Sequence, residues 1–359
     1  MSTHNSTRKA FEGKDFFLGI DVSKKNWVIG IRENDMLLKY QSMEPHPEKL
    51  YKYMERNYPG GRYYTVYEAG FCGFWVHREL TRAGFTSIVV HAADVPTTDS
   101  ERDQKTDAID ARKLAEELEK GKLKSIYIPS EEAERIRALA RLVRKTCVKE
   151  KTRWKNRMTA HLDFYGIQSP KHSSRWPKWY IEWLKALELD NGPYREAMEF
   201  MLEEYEQIKN RTAALKKRLK KRCADYFGKD LMEYLYSFPG IGWDTVLTLL
   251  TELIEIERFA EFNHICRYTG LIPSRYQTGA TDRDKGITKR RNRYLRYILI
   301  EASWIAIRKD PELYASYRRY VSRMKPQKAI IRIAKKLLKR IYCIWKERRP
   351  YEYRYPSDN

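Results

Sequence analysis

Short apolar runs that each stop at a polar break alternate with amphipathic helical stretches through the first third of the chain, and this alternation constrains the fold more than any other feature. Phe16-Phe17-Leu18-Gly19-Ile20 reads as a buried strand that ends on Asp21. Trp27 to Ile31 reads as a second strand, with Asn34-Asp35 as the turn after it. A helix around 47–57 precedes the strand Tyr63 to Tyr67, which ends at Glu68. Gly70 to Gly73 breaks the pattern, a helix follows near 74–83, and Ser87-Ile88-Val89-Val90 is a fourth strand. Residues 104–119 form a helix with Ala108, Ile109, Ala111, Leu114, Ala115 and Leu118 on its apolar side. Strands alternating with helices indicate an α/β domain, placed at 15–130. Residues 1–14 are polar and aperiodic, lack the apolar core of a secretion signal, and read as a disordered tail.

From 131 to 225 the pattern is helical, with a Ser-, Pro- and Trp-containing loop at 166–178. Tyr205, Ile208, Thr212, Leu215 and Leu219 step three and four apart, which is heptad spacing. The run is short, and it suits an intramolecular helical hairpin and a dimeric coiled coil alike. Lys216 to Arg222 forms a basic face, compatible with solvated helix positions or with an anionic partner. A third region, 226–348, opens with Ser237-Phe238-Pro239-Gly240-Ile241-Gly242 before a helix at 245–254. Basic helices are expected at 289–308 and 327–347, and 349–359 as a tail.

Lys and Arg total 70 against 48 Asp and Glu, a formal net charge of +22. Such an excess draws polyanions and releases their counterions, so nucleic acid is the first partner to consider and an anionic membrane surface the second. No run of about 18 apolar residues occurs, so no segment is expected to span a bilayer, and a cytoplasmic protein is the default. Five cysteines, Cys72, Cys147, Cys223, Cys266 and Cys343, lie far apart and read as buried or neutral thiols. Aromatic residues make up 13 % of the chain, enough to fill a core or to stack on bases.

Asp21 and Glu68 each follow an apolar strand, where side chains gather at one edge of a sheet. Asp107 and Asp110 are three apart on a helix and share a face. Clustered carboxylates repel unless protons or cations lie between them, and hard oxygen ligands suit Mg²⁺ or Mn²⁺. Taken singly, a strand-ending Asp is an ordinary turn residue and two helical acids face solvent. Their order along the chain resembles that of an RNase H-like or RuvC-like nuclease fold. Gly19-Ile20-Asp21-Val22-Ser23-Lys24, Tyr67-Glu68-Ala69-Gly70 and Lys105-Thr106-Asp107-Ala108-Ile109-Asp110-Ala111-Arg112-Lys113-Leu114-Ala115 further resemble the three blocks of the DEDD transposases of bacterial insertion sequences. That family includes the pilin-gene invertases and serine-type recombinases guided by a bridging RNA. The resemblance implies that Asp21, Glu68, Asp107 and Asp110 are the DEDD acids and bind a divalent metal, Mg²⁺ or Mn²⁺. It implies an α/β RuvC-like (RNase H-like) N-terminal domain, a helical coiled-coil connector and a mostly α-helical C-terminal transposase domain.

In the C-terminal half, Phe238-Pro239-Gly240-Ile241-Gly242 resembles half of a helix-hairpin-helix, in which Gly240 and Gly242 let backbone N–H groups hold a phosphate. A plain helix–helix turn uses the same residues. Arg283, Lys285, Lys289, Arg290, Arg291, Arg293 and Arg296 are opposed only by Asp282 and Asp284 between 283 and 296 and their neighbours, which favours nucleic-acid contact, to phosphate more than to bases. Arg275, Lys289, Arg290, Arg291, Arg293 and Arg296, with Gly240 and Gly242, form the expected binding set. Gly270-Leu271-Ile272-Pro273, running to Tyr276-Gln277-Thr278-Gly279, resembles the second conserved region of the same family, where a Ser attacks a DNA phosphate and forms a covalent link. Here Thr278 stands at that Ser. Thr carries the same hydroxyl on a stiffer, β-branched side chain, and Ser274 is the fallback nucleophile.

The resemblance implies a transposase that cuts and rejoins double-stranded DNA at element ends and target, guided by a structured non-coding RNA and working as a homodimer or tetramer on nucleic acid in the bacterial cytoplasm, at the nucleoid. The acids of one subunit could then complete a site with Thr278 of another. A metal-dependent junction-resolving nuclease that uses water, and a nucleic-acid-binding protein without catalysis, are the competing readings.

Overall fold

The structure, a computed structural model, describes residues 11–96, 106–170, 176–187, 192–278, 281–287 and 291–353, with the backbone alone over 273–287. Expectations for Lys289 and Arg290, and for most of the two tails, lie outside the described residues. The chain divides into two compact units, Met1–Ile128 and Pro129–Asn359.

The first unit is built on a five-stranded sheet of order β3-β2-β1-β4-β5. Its strands are β1 (Asp15–Val22), β2 (Trp27–Glu33), β3 (Met36–Met43), β4 (Arg62–Glu68) and β5 (Thr86–Val90). β1 runs antiparallel to β2 and parallel to β4, and β4 runs parallel to β5. Period-two alternation sends Phe16, Leu18 and Ile20 to one face, where they pack with Leu50 and Met54 of α1 (Pro47–Asn57) and with Val76 and Leu80 of α2 (Trp75–Ala83). The opposite face carries α3 (Asp107–Glu119), whose Leu114 packs with Val66 and Val90.

β3 has no counterpart among the expected strands. It is an edge strand whose Met36, Leu38 and Tyr40 are 60 %, 38 % and 40 % exposed, so no buried face marks it in the sequence. It exists because Asn34 and Asp35, at φ 50° and 62°, turn the chain back along β2. Two successive left-handed residues give the twist that a two-residue hairpin needs.

Paired glycines decide how close α3 lies to the sheet. Gly19 stands opposite Gly30 across β1 and β2. A Cβ on Gly19 would fall 2.1 Å from the Ala111 carbonyl oxygen and 2.4 Å from the Ala115 nitrogen, and one on Gly30 would fall 3.0 Å from Arg112 Cα. The helix backbone therefore occupies the volume that side chains would fill at any other residue type.

Among its described residues, the second unit is helical apart from one hairpin. α4 (Glu131–Leu142) runs through a π-turn, Val143–Val148, into α5 (Lys149–Phe164). α6 (Lys178–Ala186) and α7 (Pro193–Phe227) follow. The heptad-spaced stripe of α7 turns inward within the chain. Tyr205, Thr212 and Leu219 are buried, and Tyr205 packs in a cluster with Met158 and Leu162 of α5 and Tyr180 of α6. Of the two arrangements the spacing allowed, the folded chain contains the intramolecular hairpin of α5 and α7.

The remaining elements are α8 (Lys229–Tyr236), α9 (Trp243–Leu253), α10 (Phe262–Thr269), the hairpin β6 (Pro273–Thr278) and β7 (Thr281–Ile287), α11 (Arg293–Ala306), α12 (Pro311–Val321) and α13 (Pro326–Glu347). They enclose one apolar cluster that includes Leu235, Leu249, Leu250, Leu299, Ile333, Leu337 and Ile341. Residues 349–353 depart from the tail expected there. The Tyr351 N–H donates to Ser237 Oγ at 2.8 Å and Arg340 donates to the Tyr351 hydroxyl at 2.8 Å, while Phe238 packs on the ring.

Candidate active site

The four acids of the sequence patterns converge on one edge and one face of the first unit. Asp21 is two residues beyond Gly19, so it shares the face on which α3 lies. Glu68 is two beyond Val66, whose side chain packs with Leu114 on that same face. β1 and β4 are adjacent and parallel with Ile20 opposite Tyr67, which brings the next residues, Asp21 and Glu68, side by side at the carboxyl edge.

The direction of α3 completes the set. Its last residue, Glu119, accepts from Arg32 Nε at 2.7 Å and from the Asp35 N–H at 2.7 Å. Arg32 lies opposite Phe17, toward the start of β1. One turn and more before Glu119, Ala115 and Ala111 lie over Gly19. α3 therefore runs antiparallel to β1, and its first turn, with Asp107 and Asp110, reaches the Asp21 end. Asp107 precedes Ala111, and Asp110 precedes Leu114, by four residues each, on the stripe that faces the sheet. Thr106 caps the helix, its hydroxyl accepting from the Ile109 N–H at 3.3 Å. Acids in a first turn also complement the helix dipole.

All four donors are carboxylates, the chemistry that suits Mg²⁺ or Mn²⁺. Among the described residues, no three of these or other acids, histidines or cysteines stand close enough together to form a ready ligand group. Asp21, Glu68 and Asp110 each engage neighbours. As hard oxygen donors, these carboxylates suit a divalent cation by their chemistry.

In the second unit, Thr278 is the last residue of β6 and pairs with Thr281 across the hairpin. Ser274 and Arg275 lie on the same strand, with Arg275 opposite Asp284. This stretch is a two-stranded hairpin arm, with Thr278 the last paired residue of β6 before its turn. Arg291, Arg293 and Arg296 lie where the chain returns into α11.

Gly240 has a structural reason to be glycine. Its φ is +94° and a Cβ there would fall 2.7 Å from the Ala306 nitrogen of α11. Gly242 caps α9, accepting from the Val246 N–H at 3.0 Å, and around it there is open space. Asp244 in the first turn already pairs with Lys216 at 2.7 Å. The turn packs two helices, and an anion arriving at it would meet that carboxylate.

Residues 18–167 match a family profile of the DEDD transposases of IS110 type, described as a transposase, and residues 232–318 match one described as the transposase IS116/IS110/IS902 family. The chain belongs to the IS110 family of DEDD transposases. It is 27 % identical over 312 residues to the y4rJ protein of Sinorhizobium fredii, whose name places it among transposases, covering 80 % of this chain and 78 % of that one. It is 24 % identical over 298 residues to the transposase of insertion sequence IS1533 from Leptospira borgpetersenii, covering 80 % and 84 %. A transposase of IS1328 from Yersinia enterocolitica is 26 % identical over 214 residues, covering 56 % and 59 %. The branch these names describe is that of insertion-sequence transposases, not the pilin-gene invertases also raised by the resemblance.

This transposase is accordingly an enzyme of DNA transposition, and its family implies use of a divalent metal. No helix among the described residues is long and apolar enough to cross a membrane. One feature of the IS110 chain escaped sequence reasoning altogether. Glu252 of α9 is 2 % exposed and binds Arg141 of α4 through both carboxylate oxygens, at 2.7 and 2.7 Å. Asn292 donates to the same carboxylate at 2.7 Å and caps α11, accepting from the N–H groups of Tyr294 and Leu295. The pairing of Arg141 and Glu252 spans 111 positions, and no local pattern signals it.

Proposed function

We propose that this transposase cuts and rejoins DNA by attack of the Thr278 hydroxyl on a strand phosphate, with Asp21, Glu68, Asp107 and Asp110 holding a divalent cation, on a RuvC-like first unit. The observation that supports the reading is that adjacent parallel β1 and β4 set Asp21 and Glu68 side by side at their carboxyl edge, while the first turn of α3, with Asp107 and Asp110, lies toward that edge. The strand order β3-β2-β1-β4-β5, with an antiparallel hairpin beside parallel strands, supports the RuvC-like assignment. A cation bound by the acids would stabilise charge developing on phosphate oxygens during exchange.

The chain's own part is as follows. The Thr278 oxygen forms a bond to phosphorus as the strand's bridging P–O bond breaks, and the hydroxyl proton is passed on while the departing oxygen gains one. The phosphodiester is conserved in a protein–DNA link, so a second strand's hydroxyl can reverse the step and rejoin. Arg275, Lys289, Arg290, Arg291, Arg293 and Arg296 would hold phosphates of that strand. Gly240 and Gly242 would add backbone contacts. A structured guide RNA and a dimer or tetramer on nucleic acid belong to the same reading, and the +22 charge supports a polyanionic partner.

Asp21→Ala should abolish recombination of a plasmid carrying the cognate element ends, while full activity in that variant would remove the acids from the mechanism. Mass spectrometry of trapped protein–DNA adducts should find the link on Thr278, or on Ser274 as the fallback. One observation favours a second reading, a junction-resolving nuclease that uses water: a Thr stands where the family resemblance has its nucleophilic Ser. Cleavage with hydrolysed ends and no adduct would select it.

A further inference from the structure

At the base of the β6–β7 arm, the Asn292 N–H donates to the Tyr268 carbonyl at 2.8 Å, and the Arg291 side chain lies against Gly270, where a Cβ would fall 2.6 Å from it. Into this node α4 and its π-turn bring Arg137, Arg141 and Arg144, spaced four and three apart on one face. Arg141 is neutralised by Glu252. The others are not. Arg144 sits over the rings of Tyr294 and Tyr297, its guanidinium carbon 5.2 and 4.9 Å from the ring centres. Arg296 donates to the Gly270 carbonyl. Among the described residues no carboxylate forms a close ion pair with Arg137, Arg144 or Arg296, though Glu252 and Glu134 partly offset the charge of Arg137, and each of the three is half-buried. Burial and the neighbouring Arg141 charge hold Arg137 below the ordinary guanidinium range, and burial with Arg291 does the same to Arg296.

Partly desolvated cations that outnumber the carboxylates beside them, Glu252 and Glu134, are costly unless an anion joins them. Guanidinium groups match phosphate oxygens in planar, bidentate fashion, and Tyr297, 56 % exposed, offers a ring on which a base can stack. Glu252 and Asn292 fix the geometry without contributing to the anion's charge balance. We propose that Arg137, Arg144 and Arg296, held around the Glu252–Arg141–Asn292 node, form a phosphodiester-binding subsite at the base of the arm, for a strand whose adjoining segment reaches the tip. This rests on the reading of the arm as nucleic-acid-binding, and adds a helix, α4, to it. Duplex DNA and RNA share the chemistry.

The full chain would be titrated against a mixed-sequence DNA duplex of about 30 base pairs and, separately, a single-stranded RNA of about that length, at several salt concentrations. Arg144→Gln should lower the slope of log affinity against log salt by ~0.9 on DNA or ~0.7 on RNA, one phosphate's worth. A change with one probe names the occupant, and a change with both names the backbone alone. Arg135→Gln, on an exposed residue of the same helix paired with Glu131, should leave the slope unaltered. In the wild-type protein, either nucleic acid should protect Arg144 from phenylglyoxal. An unaltered slope with both probes, or modification of Arg144 unaffected by both, overturns the subsite. Because binding is read without cleavage, an active Asp21→Ala variant beside a lowered slope would fail the catalytic reading alone, and the converse pattern would fail the subsite alone.

Discussion

Cys223 is fully buried in the second unit, and burial alone pushes its thiol up to about 12 from an ordinary 9.0. Cys266, with its thiol at about 11, is raised by the same burial. All five cysteines are free thiols and four are buried, in keeping with their scattered spacing. A thiol whose folded pKa is raised binds its proton more tightly in the native state. Its contribution to stability is complete below the unfolded value near 9 and is lost as pH climbs through about 12. The urea midpoint should therefore fall between those pH values, and fall less steeply in Cys223→Ala, whose lower baseline reflects the missing side chain. Parallel slopes in the two proteins would mean that Cys223 does not titrate as its surroundings require. Residue chemistry of this kind was legible in part. The acids announced themselves by standing after apolar strands, whereas Glu252 looked like any helical Glu until Arg141 and Asn292 closed on it.

At the scale of elements, the pairing of β1 with α3 carries the site. Gly19 and Gly30 read in the sequence as ordinary strand residues, but together they admit a helix backbone at a distance no side chain permits. Gly19→Ala should displace α3, destabilise the protein by about 3 kcal/mol and cost recombination, because Asp107 and Asp110 leave the Asp21 edge. A urea denaturation curve matching wild type would show that α3 tolerates the methyl and that its close approach is incidental. The helical periods were legible where they faced a core, as in α11 and α13, whose stripes Leu295, Leu299, Ile333 and Leu337 are buried. The edge strand β3 was not, since its partner on one side is solvent.

Across the whole molecule, the excess of 70 basic over 48 acidic residues makes ionic strength the dominant control on binding. Affinity for nonspecific duplex DNA should fall by about 10³-fold or more between roughly 50 and 200 mM salt, as expected for six to ten phosphate contacts. A nearly flat dependence, measured by fluorescence anisotropy, would place most of the basic residues away from nucleic acid. Charge of this size is a property of composition and needs no fold to be read. Which cations remain uncompensated depends on ion pairs between elements, such as Lys185–Glu206 from α6 to α7 and Arg141–Glu252 from α4 to α9.

By itself, then, the sequence determined what local rules control: the strand–helix alternation, the acids that end β1 and β4, the paired acids on α3 and the polyanion-seeking charge. Each follows from side-chain period or composition over a short window. The tertiary structure alone decided that α3 runs antiparallel to β1 with its first turn toward the Asp21 end, that the α7 stripe turns inward onto α5, and that Arg144 sits over Tyr294 and Tyr297 while Arg141 takes Glu252. Those outcomes depend on backbone approach and on charge balance between segments more than a hundred residues apart, as Arg141 and Glu252 are, where no window of sequence reaches.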